Sequence, residues 1–179
     1  MAPTTDMTEY RAMAENALRA SRAAGSRRVV SNRGTEHARA VTGVMISSAD
    51  RSLSFLCARF SEETFEVEKV REFLERPGAQ MHVLLDSAFD PAHPSALSHL
   101  TAYMTGDDPR LKVRRIVQTS KVHFGVADER DVRIETDTEA RKATVVFGDG
   151  RIARETAQRF KALWDAARPV SAQDVPPAR

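Results

Sequence analysis

Hydrophobic and polar positions alternate along the chain in a way that predicts both helices and strands. Apolar residues at three- and four-residue spacing are typical of amphipathic helices, whereas short continuous apolar runs are typical of buried strands. The first pattern predicts helices over residues 8–24, 35–45, 61–76, 97–104 and 152–164. The second pattern predicts strands over residues 53–60, 81–86, 111–117, 122–128, 131–135 and 143–147.

The order of these elements predicts an α/β fold with a mixed β-sheet. Strands that alternate with helices, as in residues 53–117, pair in parallel through crossover helices. Strands that follow one another through short turns, as in residues 122–147, pair antiparallel as a meander. We therefore expect a mixed sheet flanked by helices, with an N-terminal helix beside it.

The same pattern divides the chain into three expected segments. Residues 1–34 are predicted to form an N-terminal helix and a linker, which contains the basic pair Arg27 and Arg28. We interpret the arginines of this segment as a solvated surface. Residues 35–168 are predicted to form the α/β domain, and residues 169–179 a flexible tail.

Composition fits an ordinary soluble domain. Of the 179 residues, 41% are hydrophobic and 29% are charged, which is not the balance of a disordered chain. The 27 Lys and Arg against 25 Asp and Glu give a net charge of +2, which neither requires nor excludes a nucleic-acid partner. The single cysteine, Cys57, excludes an intramolecular disulfide and a CxxC metal site. No apolar stretch approaches the roughly 18 residues of a membrane span and the N-terminus has no signal pattern, so we expect a cytoplasmic protein without membrane insertion.

Common enzyme motifs are absent from the sequence. It contains no phosphate-binding P-loop, no HExxH zinc motif, no GxSxG nucleophile motif and no GxGxxG dinucleotide motif. Asp86, Asp90 and His93 are close enough in sequence to suggest a metal site, but the turn-forming residues around them favour a capped loop. We therefore predict neither a metal site nor a cofactor.

One group of polar residues on the predicted meander is more specific. Lys121 and His123 are two residues apart. They therefore share one face of the extended segment that contains the strand predicted over residues 122–128. Arg133 and Glu135 share a face of the next strand in the same way. If the two strands pair, these four side chains form one polar patch. The pattern fits either a ligand site or a solvated sheet face with cross-strand charge pairs.

The C-terminal part of the chain carries a family resemblance. Lys121, His123 and Asp128 have the spacing K-x-H-x4-D, and the last predicted helix contains Phe160 and Trp164 in the spacing Phe-x3-Trp. This region resembles the catalytic half-domain of the phospholipase D superfamily, in which a strand with H-x-K-x4-D precedes a meander and a closing helix that ends in Phe-x3-Trp. The upstream order of strands and helices fits that family's α/β fold, so the resemblance covers about residues 35 to 168.

The resemblance implies a departure from the family's catalytic motif. When Asp128 is aligned with the motif aspartate, Lys121 stands where the family has His, and His123 stands where it has Lys. In the family, the His attacks phosphorus and the Lys stabilises the phosphoryl charge. Residues two apart on a strand are about 6.6 Å apart, so the exchange moves the attacking nitrogen by several ångströms. His123, Lys121 and Asp128 are thus the candidate catalytic positions of a degenerate site.

The hypothesis that follows is a non-enzymatic binding or interaction module. Lys121, His123, Arg133 and Glu135 would hold a phosphate-bearing ligand, either a nucleotide or a nucleic acid. Because the family's active unit contains two half-domains and this chain has room for one, the resemblance implies a homodimer with the ligand at its seam. Two alternatives stay open: a phosphodiesterase or nuclease with a rearranged site that uses His123, and a structural subunit bound to protein partners in a larger bacterial complex, such as a defence system.

Overall fold

A computed structural model describes residues 7–90, 93 and 95–178 of the protein. Its main feature is one sheet of eight strands. In chain order the strands are β1 (Arg28–Asn32), β2 (Ser52–Cys57), β3 (Gln80–Leu85), β4 (Leu111–Arg115), β5 (His123–Ala127), β6 (Asp131–Asp137), β7 (Lys142–Phe147) and β8 (Arg168–Val170). The helices are α1 (Met7–Ala24), α2 (Thr35–Ser48), α3 (Val67–Leu74) and α4 (Gly150–Ala166), with 3-10 turns at Ala96–His99, Thr101–Met104 and Ala172–Asp174.

The sheet is mixed, as the sequence predicts. Its spatial order is β1-β7-β6-β5-β2-β3-β4-β8. Strands β2, β3 and β4 are parallel neighbours, and every other pair of neighbours is antiparallel. The predicted α/β class is therefore confirmed, with a parallel centre followed by a β5–β6–β7 meander.

Helices cover both faces of the sheet, and each face has its own apolar core. On one face, which we call the three-helix face, α1, α2 and α3 pack on the strands through residues such as Val41, Met45 and Phe73. On the opposite face, α4 packs Phe160 against Phe124 of β5. The alternation of side chains along each strand sorts apolar residues between these two cores.

The sequence pattern does not predict two of the strands, because they lie in segments that it indicates as linker and tail. Residues 28–32 form β1, which pairs with β7, and residues 168–170 form β8, which pairs with β4. Both are short edge strands, and β8 contains Pro169, so neither shows the long apolar run of a central strand. The expected segment boundaries stay predictions, but the sheet includes strands from both flanking segments.

Two predicted helices differ from the structure. The helix expected over residues 97–104 is a pair of 3-10 turns. The helix expected from residue 61 begins only at Val67, because the backbone N–H groups of Thr64 and Phe65 bond back to the carbonyl of Ser61 in a turn. Within the described part of the chain, no helix is both long and apolar enough to cross a bilayer. The cytoplasmic location stays a prediction.

Candidate functional site

A cavity of about 270 Å³ opens at one end of the sheet. The carboxyl ends of β2, β3 and β6 and the amino ends of β5 and β7 meet at this end. The cavity wall includes side chains from β5 and β6 that point to the three-helix face, among them His123, Arg133 and Glu135. Their burial distinguishes this patch from the solvated sheet face that the sequence also allowed.

His123 lies between two carboxylates. The strand register places it directly opposite Glu135, with its Nδ1 atom 3.7 Å from Oε2 of that residue. On its other side, Nε2 lies 3.2 Å from Oδ2 of Asp86. Burial alone would lower the pKa of His123, but the hydrogen bonds and negative charges of Asp86 and Glu135 outweigh burial and raise it. Both ring nitrogens therefore face acceptors, which favours the protonated imidazole.

Asp86 is the site residue whose role the sequence did not reveal. It follows β3 directly, and its side chain is almost fully buried. Oδ1 accepts the N–H of Ala88 at 2.8 Å, and Oδ2 accepts the N–H of Ser120 at 3.0 Å as well as the contact from His123. Burial opposes ionisation of Asp86, but these donors hold its pKa below the usual range. A carboxylate immediately after a buried apolar strand is the signal that marks such a residue.

Arg133 and Glu135 form a buried pair beside His123. Nη1 of Arg133 donates to Oε2 of Glu135 at 3.2 Å, and each side chain is only 5% exposed. Burial would raise the pKa of Glu135, but the hydrogen bond from His123 and the charge of Arg133 lower it. Three buried polar atoms of this pair have no hydrogen-bonding partner among the described residues: Nε and Nη2 of Arg133 and Oε1 of Glu135.

Lys121 does not join this cluster. β5 begins at His123, so Lys121 lies in the preceding loop rather than on a strand. Its side chain is exposed and makes no hydrogen bond or ion pair within residues 7–90, 93 and 95–178. The structure thus brings together His123, Arg133 and Glu135 and leaves Lys121 outside the cavity wall.

Asp128 lies at the opposite end of β5. It is five positions along the chain from His123, or roughly 17 Å. It has a left-handed backbone with φ 50, and its carboxylate accepts the N–H groups of Asp50, Arg51 and Ser52 at 2.6 to 2.9 Å. These bonds outweigh burial and lower its pKa. Asp128 therefore fixes the loop before β2 and cannot act on a ligand in the cavity.

Aromatic side chains form the apolar wall of the cavity. The rings of Phe60 and Phe65 stack with centroids 4.0 Å apart, and Phe55 meets Phe65 edge-on at 5.1 Å. Gly125 makes room for this wall, because a Cβ there would lie 2.3 Å from Cε1 of Phe55. Phe60 has φ 47, a left-handed backbone that is unusual for an aromatic residue and typical of functional sites. A glycine inside an apolar strand was the available signal for this close approach.

Two arginines and a cysteine also line the cavity and affect its chemistry. Arg141 lies at the mouth, with Nη2 3.6 Å from Oε2 of Glu63. Arg59 is exposed at the mouth, and its guanidinium has no bonding partner in the described part of the chain. Burial raises the pKa of Cys57 to about 12, so its thiol stays protonated and is a poor nucleophile near neutral pH.

The structure separates the three residues that suggested a metal. Asp86 faces His123, whereas His93 pairs with Asp90 at 2.9 Å on the surface. Among residues 7–90, 93 and 95–178, no group of three His, Cys, Asp or Glu side chains has the arrangement of a metal site.

Comparisons with solved structures identify the fold. No protein-family model and no curated protein matches the chain by sequence. The fold is similar to that of Nuc from Salmonella typhimurium, a phospholipase D family member, with a TM-score of 0.64 and 12% identity over 82% of this chain and 99% of that one. NucT from Helicobacter pylori is similar at a TM-score of 0.59 and 12% identity, over 81% of this chain and 100% of that one. The chain has a phospholipase D-like fold.

A DNA-binding chromatin protein and a phosphatidylserine synthase also have folds similar to that of this chain. TrmBL2, an archaeal chromatin protein with a novel mode of DNA binding, is similar at a TM-score of 0.63 and 16% identity over 92% of this chain. Phosphatidylserine synthase from Haemophilus influenzae is similar at a TM-score of 0.60 and 11% identity over 83% of this chain. The chain spans 64% of the length of TrmBL2 and 41% of the length of the synthase. At these identities the likeness concerns the fold, which is compatible with more than one function.

Proposed function

We propose that the protein is a non-enzymatic binding module that holds a phosphate-bearing ligand, a nucleotide or a nucleic acid, at this cavity. The observation that carries the proposal is the position of His123 between Asp86 and Glu135. It replaces the family's lysine in the aligned motif, and its surroundings favour binding over nucleophilic attack.

Nucleophilic catalysis requires a ring nitrogen with a free lone pair that points at phosphorus. Both nitrogens of His123 face carboxylate oxygens, at 3.2 Å and 3.7 Å, and the raised pKa favours the protonated ring, which has no free lone pair. Lys121, at the position of the family's histidine, is exposed and lies outside the cavity wall. Neither residue has the setting of a nucleophile, which supports a degenerate site.

Anion binding is supported by the cations at and near the cavity. Arg59 and Arg141 lie at its mouth, whereas Arg133 and His123 lie within and are each already paired with a carboxylate. Arginine donors bind phosphate oxygens with short, charge-assisted hydrogen bonds. The fold is also that of a DNA-binding chromatin protein, which supports nucleic acid or nucleotide among phosphate-bearing ligands.

The proposal includes a homodimer in which two cavities lie near a two-fold axis. The exposed Lys121 and Arg59 at the same end of the sheet would then add positive charge from both copies to one surface. Light scattering at tens of micromolar should give twice the mass of one 19.9 kDa chain. A strictly monomeric mass would contradict the dimer and leave the single cavity as the site.

The test combines binding and hydrolysis in one set of proteins. Fluorescent nucleotides and short oligonucleotides should bind at low salt, and affinity should fall as salt rises. Arg59→Gln with Arg141→Gln should weaken binding about tenfold, whereas Arg151→Gln, on the exposed side of α4, should not change it. Cleavage products should not exceed background in any of these proteins.

Two results would overturn the proposal. Turnover that His123→Gln abolishes would establish the phosphodiesterase or nuclease alternative. No binding by any nucleotide or oligonucleotide, with a correctly folded protein, would favour a structural subunit of a larger complex.

A further inference from the structure

A second depression lies beside the cavity, at the same end of the sheet. Its volume is about 590 Å³, and it opens where β4 ends and β8 begins, so we call it the β4–β8 groove. Ser87 and Val117 line the groove, whereas Asp86 and Thr119, on the same two loops, line the cavity. Oγ of Ser87 and Oγ1 of Thr119 form a hydrogen bond of 2.6 Å. A ridge made of these two loops therefore separates the depressions.

The β4–β8 groove carries net positive charge. Arg115 and Arg168 line it together with one acid, Asp174. Nη2 of Arg115 donates to the carbonyl oxygens of Ser87 and Phe89 rather than to a carboxylate, so its charge is not neutralised. The side chain of Arg168 is exposed and has no bonding partner within the described residues. Arg168 is therefore free to donate charge-assisted hydrogen bonds to a phosphate.

Unpaired cations extend along this end of the sheet rather than concentrate at the cavity mouth. Arg141 pairs there with Glu63, which leaves Arg59 as the unpaired arginine of the mouth. Lys121 lies just before β5, and Arg168 begins β8. In the order β5-β2-β3-β4-β8 these two strands are four spacings apart, or roughly 19 Å. A mononucleotide is too short to reach both, whereas an oligonucleotide carries a phosphate at every step.

The groove also has exposed apolar surface. Val117 is 79% exposed, the largest exposed fraction of any large hydrophobic side chain among residues 7–90, 93 and 95–178, and Pro169 in the same lining is exposed as well. Unpaired bases present apolar faces that pack on such side chains, whereas a duplex hides these faces between its base pairs. The groove therefore fits a single strand better than a duplex.

We propose that the ligand is a single-stranded oligonucleotide that crosses this end of the sheet, from Lys121 and Arg59 beside the cavity to Arg168 in the β4–β8 groove. Its phosphates contact the three cations, and its unpaired bases pack on Val117. This inference rests on the proposed function and names its ligand, a single strand rather than a mononucleotide or a duplex.

Fluorescence anisotropy with probes of different length tests the span. The probes are a 5′-phosphorylated thymidine dinucleotide, the corresponding octamer and a GC-rich hairpin of similar length. The octamer should bind at least about fiftyfold more tightly than the dinucleotide, because it also contacts the groove. This gain exceeds the roughly sevenfold that its larger number of overlapping dinucleotides provides statistically. The hairpin should bind at least about tenfold more weakly than the octamer.

Variants of the groove separate it from the cavity mouth. Arg168→Gln should weaken the octamer about fivefold, lower its slope of log affinity against log salt by about 0.7, and leave the dinucleotide unchanged. Val117→Asp should likewise weaken only the octamer. Arg154→Gln is the matched control, because Arg154 is an exposed arginine in the first turns of α4, at the opposite end of the sheet. Far-UV circular dichroism checks that each variant is folded.

Each contrary result has a distinct meaning. If the octamer gains no more than the statistical factor, or if Arg168→Gln and Val117→Asp leave its affinity unchanged, the groove is not part of the site and the inference is wrong, while binding at the cavity mouth stands. If the hairpin binds as tightly as the octamer, the assignment to a single strand is wrong. If no nucleotide or oligonucleotide binds the folded protein, both the inference and the proposed function fail.

Discussion

The two faces of the β5–β6 pair differ sharply, although they belong to the same short stretch of chain. On the α4 face, Phe124, Val126 and Val132 are buried against the helix. On the three-helix face, the same strands present His123 and Arg133 to the cavity. One face is an ordinary apolar core, and the other is a network of buried charges.

Because of this contrast, the two faces should contribute differently to stability and to ligand binding. Burying apolar side chains stabilises the fold in proportion to the area removed from water. Burying charges incurs a desolvation penalty that their mutual attraction only partly offsets. The apolar face should therefore contribute most of the stability of this region, while the charged face should determine what the protein binds.

The largest loss of stability is expected from a substitution on the apolar face. Phe160 of α4 is 5% exposed and packs against β5. Phe160→Ala should lower the free energy of unfolding by about 3–5 kcal/mol, because it leaves a cavity in the core. Urea denaturation measures this loss, and nucleotide affinity should stay the same. A loss below about 1 kcal/mol would show that this face is not a tightly packed core.

The next effect concerns the charged face. Arg133→Leu or Glu135→Leu alone should cost about 3 kcal/mol, because each removes the hydrogen-bonded partner of a buried charge. The double variant should cost less than the sum of the single ones, since no unpaired partner remains.

An exposed ion pair provides the control for this double-mutant cycle. Lys161 and Asp165 form an exposed ion pair on α4, and its coupling energy should be only about 0.5 kcal/mol or less. Equal coupling energies for the buried and the exposed pair would contradict the contrast between the faces.

A smaller effect is expected for Asp128, which the motif comparison places in the catalytic site. Asp128→Ala should cost about 1–3 kcal/mol of stability, because three backbone N–H groups lose their acceptor. Asp128→Asn should cost less, since Asn keeps an acceptor oxygen and tolerates a left-handed backbone. Nucleotide affinity should be unchanged in both variants, and a loss of binding without a loss of stability would place Asp128 in the site after all.

The smallest expected effect is the pH dependence of stability, which tests the charged face. The pKa of His123 is raised in the folded protein, so its stabilisation is present below its unfolded value of about 6.5 and is lost as pH rises through the folded value. The pKa values of Asp86 and Glu135 are lowered, so their stabilisation is present above about pH 4 to 4.5 and is lost as pH falls through the folded values. The combined contribution of His123, Asp86 and Glu135 to stability should therefore be highest between about pH 4.5 and 6.5.

Urea midpoints across this range, with two histidine variants, measure the effect. His123→Gln should remove the decline on the alkaline side. His82 is the control, because burial and the charges of Lys112 and Arg114 lower its pKa, and its contribution is therefore lost on the acid side. A midpoint that rises in the wild-type protein between pH 6.5 and 8.5 would contradict the assigned role of His123.

The local pattern of the sequence was sufficient for the six inner strands of the sheet and for three residues of the site. Side chains two apart on neighbouring strands share a face, which is why His123, Arg133 and Glu135 were expected together. The alternation of helices and strands likewise gave the mixed sheet. Such inferences succeed because they depend only on the geometry of one or two adjacent elements.

The remaining parts depend on contacts between distant segments. Asp86 meets His123 across 37 residues, and no local pattern indicates that pairing. Strand β1 pairs with β7, more than a hundred residues later, and its short basic sequence resembles a linker. Lys121 does not share a strand face with His123 because β5 begins at His123, which leaves Lys121 in the preceding loop.

Phosphorus-31 NMR of a short oligonucleotide mixed with the protein tests most directly whether the site binds without cleaving. We predict that the phosphodiester resonances shift or broaden on addition of the protein, that inorganic salt reverses the change, and that no phosphomonoester resonance appears on prolonged incubation. A growing phosphomonoester resonance that is absent with His123→Gln would contradict the account and show that His123 takes part in cleavage.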